Sequence, residues 1–532
     1  MRQISIYDTT LRDGAQAEEL NLTSDDKLRI AHKLDELGIH YIEAGWPGSN
    51  PTDKRFFEQI KGHVLTNAKL AAFGSTHLAK TTPENDPNLA ALLEAETPVI
   101  TIFGKTWDLH ATTALGISLE RNLELIANSV GYLKARVDEV FFDAEHFFDG
   151  FKNNPEYALL ALRTAYEAGA DRLILCDTNG GSMPFEVAKA MEAVTKSLPD
   201  AEFGIHAHND SEAAVANSIE AVRLGASQVQ GTINGYGERC GNANLCSVIP
   251  NLELKMGMKT IGKENMERLM VTSHFVSETA NLRPFMRQPF VGVSAFAHKG
   301  GVHVSAILKD AKTYEHIVPE TVGNKQRVLL SDQAGQSNIL FKAEELGYDL
   351  KKGDPTVNRL LKDLKLKESM GYEYSVADAS FELLLLKALG KPLNYFHFRN
   401  FFVVDAKREE DPEPFTEATV IVDVKGQVEH TAATGMGPVN ALDRALRKGL
   451  ERFYPNLREM RLLDFKVRVL SGAVRDTGGT ASFVRVLIES GDKKERWTTM
   501  GVSHNIIEAS WQAVVDAINY KLFRDDQRDS AE

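Results

Sequence analysis

The run Leu37-Gly38-Ile39-His40-Tyr41-Ile42-Glu43-Ala44 holds a helix end, a turn and a strand in succession. Glycine at the joint takes the left-handed backbone that closes a helix, and Tyr41 to Ala44 reads as a short buried strand. The same joint recurs at Ala168-Gly169-Ala170 and Leu224-Gly225-Ala226. Outward from these points, short apolar runs fall at residues 4–7, 41–44, 70–73, 99–103, 140–143, 173–176, 203–206 and 229–233. Helical patterns separate most of them, as at 119–137, 157–168, 184–198 and 212–224. Thr23 caps the first helix, with Asp25 and Asp26 in the first turn favoured by the positive helix end. Eight βα units in about 250 residues are the size of a closed (β/α)8 TIM barrel. Alternation alone also permits an open doubly wound sheet. The count of eight, and the lack of Gly-x-Gly-x-x-Gly after the first strand, favour the barrel.

The chain has 532 residues, enough for three or four domains at about 150 residues each. A composition 43% hydrophobic and 25% charged excludes wholesale disorder. The formal charge of −13 argues against nucleic acid or an anionic membrane as the main partner. No run approaches the roughly 18 apolar residues of a membrane span, and residues 383–386 read as part of a core helix. Asp8, Arg12 and Asp13 interrupt any secretory signal pattern. Cys176, Cys240 and Cys246 form no C-x-x-C pair, so a reduced, cytoplasmic protein without a disulfide scaffold is expected.

Catalytic groups of a barrel stand where strands end and βα loops begin. Here the first strand runs into Thr9-Thr10-Leu11-Arg12-Asp13-Gly14-Ala15-Gln16, which sets a cation beside a carboxylate. Strand two ends with Glu43, strand five with Asp143-Ala144-Glu145-His146, and strand six with Asp177-Thr178-Asn179-Gly180. His206 and His208 are two apart, so on a strand both point to one face. Two imidazoles at the barrel mouth, with Asp13 and then Asn242 to complete the set, form a candidate divalent metal site with open positions for water or substrate. An H-x-H pair alone is weak, since loop histidines also produce it; the acids at other strand ends strengthen it. Residues 235–242, G-Y-G-E-R-C-G-N, match neither a Walker A loop nor the dinucleotide fingerprint, but their glycines permit close backbone approach to a ligand. Cys240 is expected to be a buried bystander thiol.

Together T-T-L-R-D-G at 9–14, the H-x-H of strand seven and G-E-R-C-G-N resemble the 2-isopropylmalate synthase and homocitrate synthase family of acyl-CoA-condensing metal enzymes. That family sits among the Asp-Arg-Glu TIM-barrel metallolyases, and the likeness runs along essentially the whole chain. Ala15, the segment Gly48-Ser49-Asn50-Pro51-Thr52-Asp53 and Gly104-Lys105-Thr106-Trp107-Asp108 resemble the branch that makes citramalate. Most 2-isopropylmalate synthases carry Glu where Ala15 stands, which counts against leucine-pathway substrates. The resemblance implies Asp13, His206, His208 and Asn242 as metal ligands, with Zn, Mn, Mg and Co not distinguishable. It implies that Arg12 polarises a keto oxygen, that Glu43 holds Arg12, that Glu145 lies near the acetyl group, and that Thr178 holds the substrate carboxylate. Acetyl-CoA and pyruvate are the implied substrates, giving citramalate and CoA for isoleucine synthesis.

Beyond the barrel, His298 and His303 are expected in a glycine-rich loop. His303 and Tyr314 resemble a family pair that reaches into the neighbouring protomer's barrel, which implies a homodimer or higher oligomer; His298 reads as structural. From Phe398 onward the pattern turns to alternating strands at 419–424, 431–434, 465–470 and 482–489, with Ala-rich helices at 435–453 and 501–522, an internal duplication. This part resembles the family's dimeric regulatory domain, with isoleucine as the implied effector. Gly478, Gly479, Thr480 and Ala481 read either as an effector loop or as a plain hairpin turn. The expected division is a catalytic barrel at 1–262, linker subdomains at 263–392 and a regulatory domain at 393–532. Two in-class alternatives use 2-ketoisovalerate or 2-oxoglutarate in place of pyruvate. A hydroxyacyl-CoA lyase would share the metal motif but normally lacks the C-terminal part. A non-enzymatic amino-acid sensor has no need of intact Arg12, Asp13, His206 and His208.

Overall fold

The computed structural model describes residues 2–331, 333–391, 393, 395–410, 413–470 and 482–530. Eight parallel strands close into a barrel: β1 (Ser5–Asp8), β2 (Tyr41–Gly45), β3 (Lys69–Ser75), β4 (Val99–Lys105), β5 (Glu139–Glu145), β6 (Arg172–Asp177), β7 (Phe203–Ala207) and β8 (Gln228–Gly231). Closure comes from β1 pairing with β8, where Asp8 stands opposite Gly231. Each strand lies at or within two residues of an apolar run read from the sequence. Strands covered on both faces are near-continuously apolar, which is why the runs are visible.

The expected helix ends are present. Helix Ser24–Leu37 opens on a reciprocal cap, in which Thr23 Oγ1 accepts from Asp26 N at 3.2 Å and Asp26 Oδ2 accepts from Thr23 N at 3.1 Å. It closes at Gly38, whose φ of 85° is the left-handed value the joint requires. Asp35 in its last turn accepts from the backbone N–H of Thr66, Asn67 and Ala68 at 2.9, 2.7 and 2.8 Å, fastening the approach to β3.

Inside the barrel the side chains form layers. Tyr7, Ala71, Val99 and Phe141 make an apolar layer with Tyr41 against it. Side chains on a strand return to the same face every second residue. One step further along, the inward positions are Glu43, Phe73, Thr101, Asp143, Cys176, His206 and Gln230. The polar residues of the strand ends therefore sit directly on a packed aromatic floor.

Contacts divide the chain into two units, Met1–Phe296 with Ile317–Gln326, and Ala297–His316 with Arg327–Glu532. In the second unit the two-residue strands β9 (Ala297–His298) and β10 (Arg327–Val328) pair in parallel. His303 lies on helix Gly301–Ile307, not in a loop, because the glycines sit at the helix start and the residues after them are apolar. Helices Pro355–Ser369 and Asp378–Ala388 follow.

Two antiparallel three-stranded sheets then repeat one plan. Strands β11 (His397–Ala406), β12 (Phe415–Val424) and β13 (Gln427–Gly435) precede helix Pro438–Leu450. Strands β14 (Arg461–Leu470), β15 (Phe483–Gly491) and β16 (Arg496–Ser503) precede helix Ile506–Asp529. The sequence reading lacked β11 and β16. Most of β11 is exposed, so burial imposes no apolar pattern on it. Gly501, expected to open the last helix, is a residue of β16 over which that helix crosses: a Cβ there would lie 2.0 Å from Ala509 O. Gly435 has the matching place in the first repeat, with a Cβ position 2.4 Å from Ala441 N. The duplication thus extends to the glycine beneath each helix. The proposed effector residues Gly478 to Ala481 lie outside the described residues.

Candidate metal centre and active site

Asp13, His206 and His208 converge at the barrel mouth, all buried, with one ligand atom from each within 4.8 Å of the others. Asp13 Oδ2 is 3.2 Å from His206 Nε2 and 3.7 Å from His208 Nε2, and the two Nε2 atoms are 3.4 Å apart. Ligands that share one cation at bond lengths of about 2.1 Å stand about 3.0–3.4 Å from each other. Two of the three pairs fit that spacing, and the third, His208 to Asp13 at 3.7 Å, lies a few tenths of an ångström beyond it. Asn242 faces the same point, its amide 3.4 Å from His206 Nε2, and its buried Oδ1 has no hydrogen-bond partner. The atom nearest His206 is the amide nitrogen, and a half-turn of the amide exchanges it with the orphaned oxygen, which with two imidazoles and a carboxylate makes a donor set suited to a borderline divalent cation.

The glycines of residues 235–242 place Asn242. At Gly241 φ is 84°, and a Cβ would lie 1.9 Å from Gly235 O. The close approach is of the loop to itself, which brings His208 and Asn242 into an isolated antiparallel bridge. Cys240 on this loop is exposed, not buried, because the turn carries it outward. Arg239 closes the loop from outside, donating from Nε to Asp210 Oδ1 at 2.8 Å and from Nη2 to Thr178 O at 2.7 Å.

Arg12 is held on three sides. Its Nε donates to Glu43 Oε1 at 2.6 Å, Nη1 lies 3.2 Å from Asp13 Oδ2, and the guanidinium lies over the Phe73 ring at 3.7 Å. Glu43 is fully buried, and its other oxygen accepts from Tyr7 Oη at 2.7 Å. Burial opposes the Arg12 charge, but Glu43 and Asp13 more than offset it and hold its pKa above the usual range. Burial also works against the Asp13 carboxylate, yet Arg12 and the two histidines hold its pKa well below the usual range. His208 is pushed down to about 4, by burial above all, and so offers a neutral ring. Burial lowers His206 as well, but its bond to Asp13 moves it up overall.

A cavity of about 200 Å³ opens over this cluster. Arg12, Asp13, Glu145, Thr178, His206 and His208 line it, so six of the sequence-derived site residues meet in one space. Glu145 is ion-paired with Lys105 at the end of β4. Thr178 Oγ1 accepts from His146 N at 2.9 Å. Ala15 borders a neighbouring cavity that shares Arg12, Gln16 and Trp46 with the first. In the second unit, His303 and Tyr314 stack on one another with ring centroids 4.2 Å apart. His298 accompanies Glu315 at 3.1 Å.

Sequence reasoning missed the cavity's aromatic wall, and it placed the deeper acid, Asp143, at the end of strand five without giving it a role. Trp46 meets Phe73 and Phe103 edge-on at 5.9 and 5.6 Å, and those two rings stack at 5.5 Å. Asp143, 3% exposed, is pushed up to about 7 by burial and by neighbouring Glu43. The available signal was period two: Asp143 shares a strand face with Phe141 and Glu145.

Three family models match successive parts of the chain. The HMGL-like family model matches residues 3–276, more than half of the chain. A model described as homocitrate synthase post-HMGL domain-like matches 290–369, and the LeuA allosteric (dimerisation) domain matches 375–522. The chain is 58% identical over 527 residues to an (R)-citramalate synthase of Geobacter sulfurreducens, covering 99% of both chains. It belongs to the citramalate synthase branch of the 2-isopropylmalate synthase and homocitrate synthase family. A second member of that branch, an (R)-citramalate synthase of Aquifex aeolicus, is 54% identical over 525 residues, again covering 99% of both. A 2-isopropylmalate synthase of Methanocaldococcus jannaschii is only 30% identical, over 97% of this chain and 94% of its own. As a citramalate synthase family member the chain is an acyl-transferring enzyme with a dimerisation domain. No helix among the described residues is long and apolar enough to cross a membrane.

Proposed function

We propose that the cavity over Asp13, His206 and His208 is where acetyl-CoA condenses with pyruvate to give (R)-citramalate and CoA. The observation that carries this reading is Arg12, buried and fixed by Glu43, standing beside a three-donor cation site in one cavity. Asp13, His206, His208 and the Asn242 oxygen would hold a divalent cation, and Zn, Mn, Mg or Co would serve. A cation held there would supply Lewis acidity toward the oxygens of a 2-keto acid. Arg12 donates to the keto acid's carbonyl oxygen and stabilises the alkoxide that forms there, with no reorganisation because Glu43 and Phe73 already hold it. Thr178 presents its hydroxyl to the substrate carboxylate. Glu145, beside Lys105, stands at the cavity edge where the acetyl group must enter.

A base takes a proton from the acetyl methyl carbon, that carbon bonds to the keto carbon, and the alkoxide is protonated. Water then cleaves the thioester, releasing CoA and making the reaction effectively irreversible. His303 and Tyr314 act on a partner protomer's site, so the working enzyme is a homodimer or larger. Acetyl-CoA and pyruvate should therefore yield CoA and (R)-citramalate in equal amounts, measured by thiol release and chiral chromatography. CoA without citramalate would reduce the activity to thioester hydrolysis and refute the condensation.

The C-terminal repeat, residues 393–532 in this division, reads the pathway's product, isoleucine, in a reducing cytoplasmic setting. Isoleucine need favour one state of the dimer by only about 1–3 kcal/mol to inhibit clearly. Calorimetric titration of the intact chain should show isoleucine binding more tightly than leucine or valine. Preferential leucine binding would point to 2-isopropylmalate synthesis instead.

A further inference from the structure

His206 does not stand alone in the barrel. In the β7–β8 register it lies opposite Gln230, and parallel partners project their side chains to the same face. His206 Nδ1 is 3.0 Å from Gln230 Oε1. On its other side Gln230 donates from Nε2 to Asp143 Oδ1 at 3.2 Å. All three side chains are buried, with Gln230 fully so, which removes water as an alternative partner. The link therefore has a direction. The amide turns its NH2 toward β5, where the ionised Asp143 accepts, and its carbonyl toward β7. A carbonyl only accepts, so the proton of the neutral imidazole sits on Nδ1 and the lone pair on Nε2. That Nε2 is the atom 3.2 Å from Asp13 Oδ2 and 3.4 Å from His208 Nε2. His208 has no such arrangement, since its buried Nδ1 is without a hydrogen-bond partner.

We propose that Gln230 is a positioning residue that fixes His206 as its Nδ1–H tautomer and so presents Nε2 to a divalent cation, with Asp143 fixing the orientation of the Gln230 amide. This inference rests on the cation site of the proposed function. Histidine ligands that donate their second ring nitrogen to an acceptor are held in tautomer and orientation, and loss of the acceptor costs about 10–100-fold in metal affinity.

The test is calorimetric titration of Mn²⁺ into the chelator-treated full-length chain and two variants. Gln230→Met keeps the length of the side chain and removes both hydrogen bonds, so its Kd should rise about 10–100-fold. Gln230→Glu keeps an acceptor for Nδ1–H, and a carboxyl pair sharing one proton with Asp143 reproduces the second contact. Its Kd should stay within about threefold of the parent value, a rescue that a space-filling role would not produce. Unchanged Mn²⁺ affinity in Gln230→Met, or a loss in Gln230→Glu as large as in Gln230→Met, overturns the positioning role. If Gln230→Met does not fold, Gln230→Glu decides alone: retained affinity supports the role, and a tenfold or greater loss overturns it. Failure of the underlying reading looks different, because the parent chain itself would then take up no Mn²⁺.

Discussion

Replacing His208 by alanine should abolish condensation and weaken Mn²⁺ binding by more than about 100-fold, while the far-ultraviolet dichroism stays that of the parent chain. The ring is buried and directs Nε2 toward Asp13 Oδ2 at 3.7 Å, and its Nδ1 bonds to nothing. Its removal therefore costs the site a ligand without orphaning a polar partner, and the barrel strands keep their ladder. Burial holds this imidazole neutral, down to about 4, so it is ready to coordinate without first losing a proton at neutral pH. Turnover with stoichiometric metal in a variant lacking both His206 and His208 would remove the cation site from the account.

The second large effect is expected at Arg12. Arg12→Lys keeps a positive charge but loses the planar fork, so it cannot bond Glu43 through Nε, approach Asp13 through Nη1 and lie flat on Phe73 together. The rate should fall about 100-fold or more through kcat, since the donor acts on charge that develops only in the transition state. Steady-state kinetics with pyruvate varied separates the cases. A rise in KM with kcat unchanged would make Arg12 a substrate-binding residue and nothing more.

Much of this was legible in the sequence because barrel strands carry their pattern locally. Eight apolar runs, glycine joints such as Leu37-Gly38-Ile39, and polar residues at strand ends are each readable within a few residues. The period of two brought His206 and His208 to one face without any tertiary information. What escaped depends on closure. The bond from Tyr7 to Glu43 joins residues 36 apart, and the Asp143–Gln230 link joins residues 87 apart. Neither has a local signature. The aromatic wall of Trp46, Phe73 and Phe103 looked like ordinary core, which is what bulky rings in strands usually are. In the C-terminal repeat the exposed strand β11 carried no burial pattern, and Gly501 was misleading because a close crossing and a helix start both demand glycine.

On the proposed function, the aromatic wall of Trp46, Phe73 and Phe103 limits the 2-keto acid to the size of pyruvate. The direct measurement is kcat/KM for CoA release with pyruvate, 2-ketoisovalerate and 2-oxoglutarate on one metal-loaded preparation. Pyruvate should lead both by at least about 100-fold, a discrimination of the size that surplus methylene groups impose in an apolar pocket. Equal or greater kcat/KM for 2-ketoisovalerate or 2-oxoglutarate would contradict it.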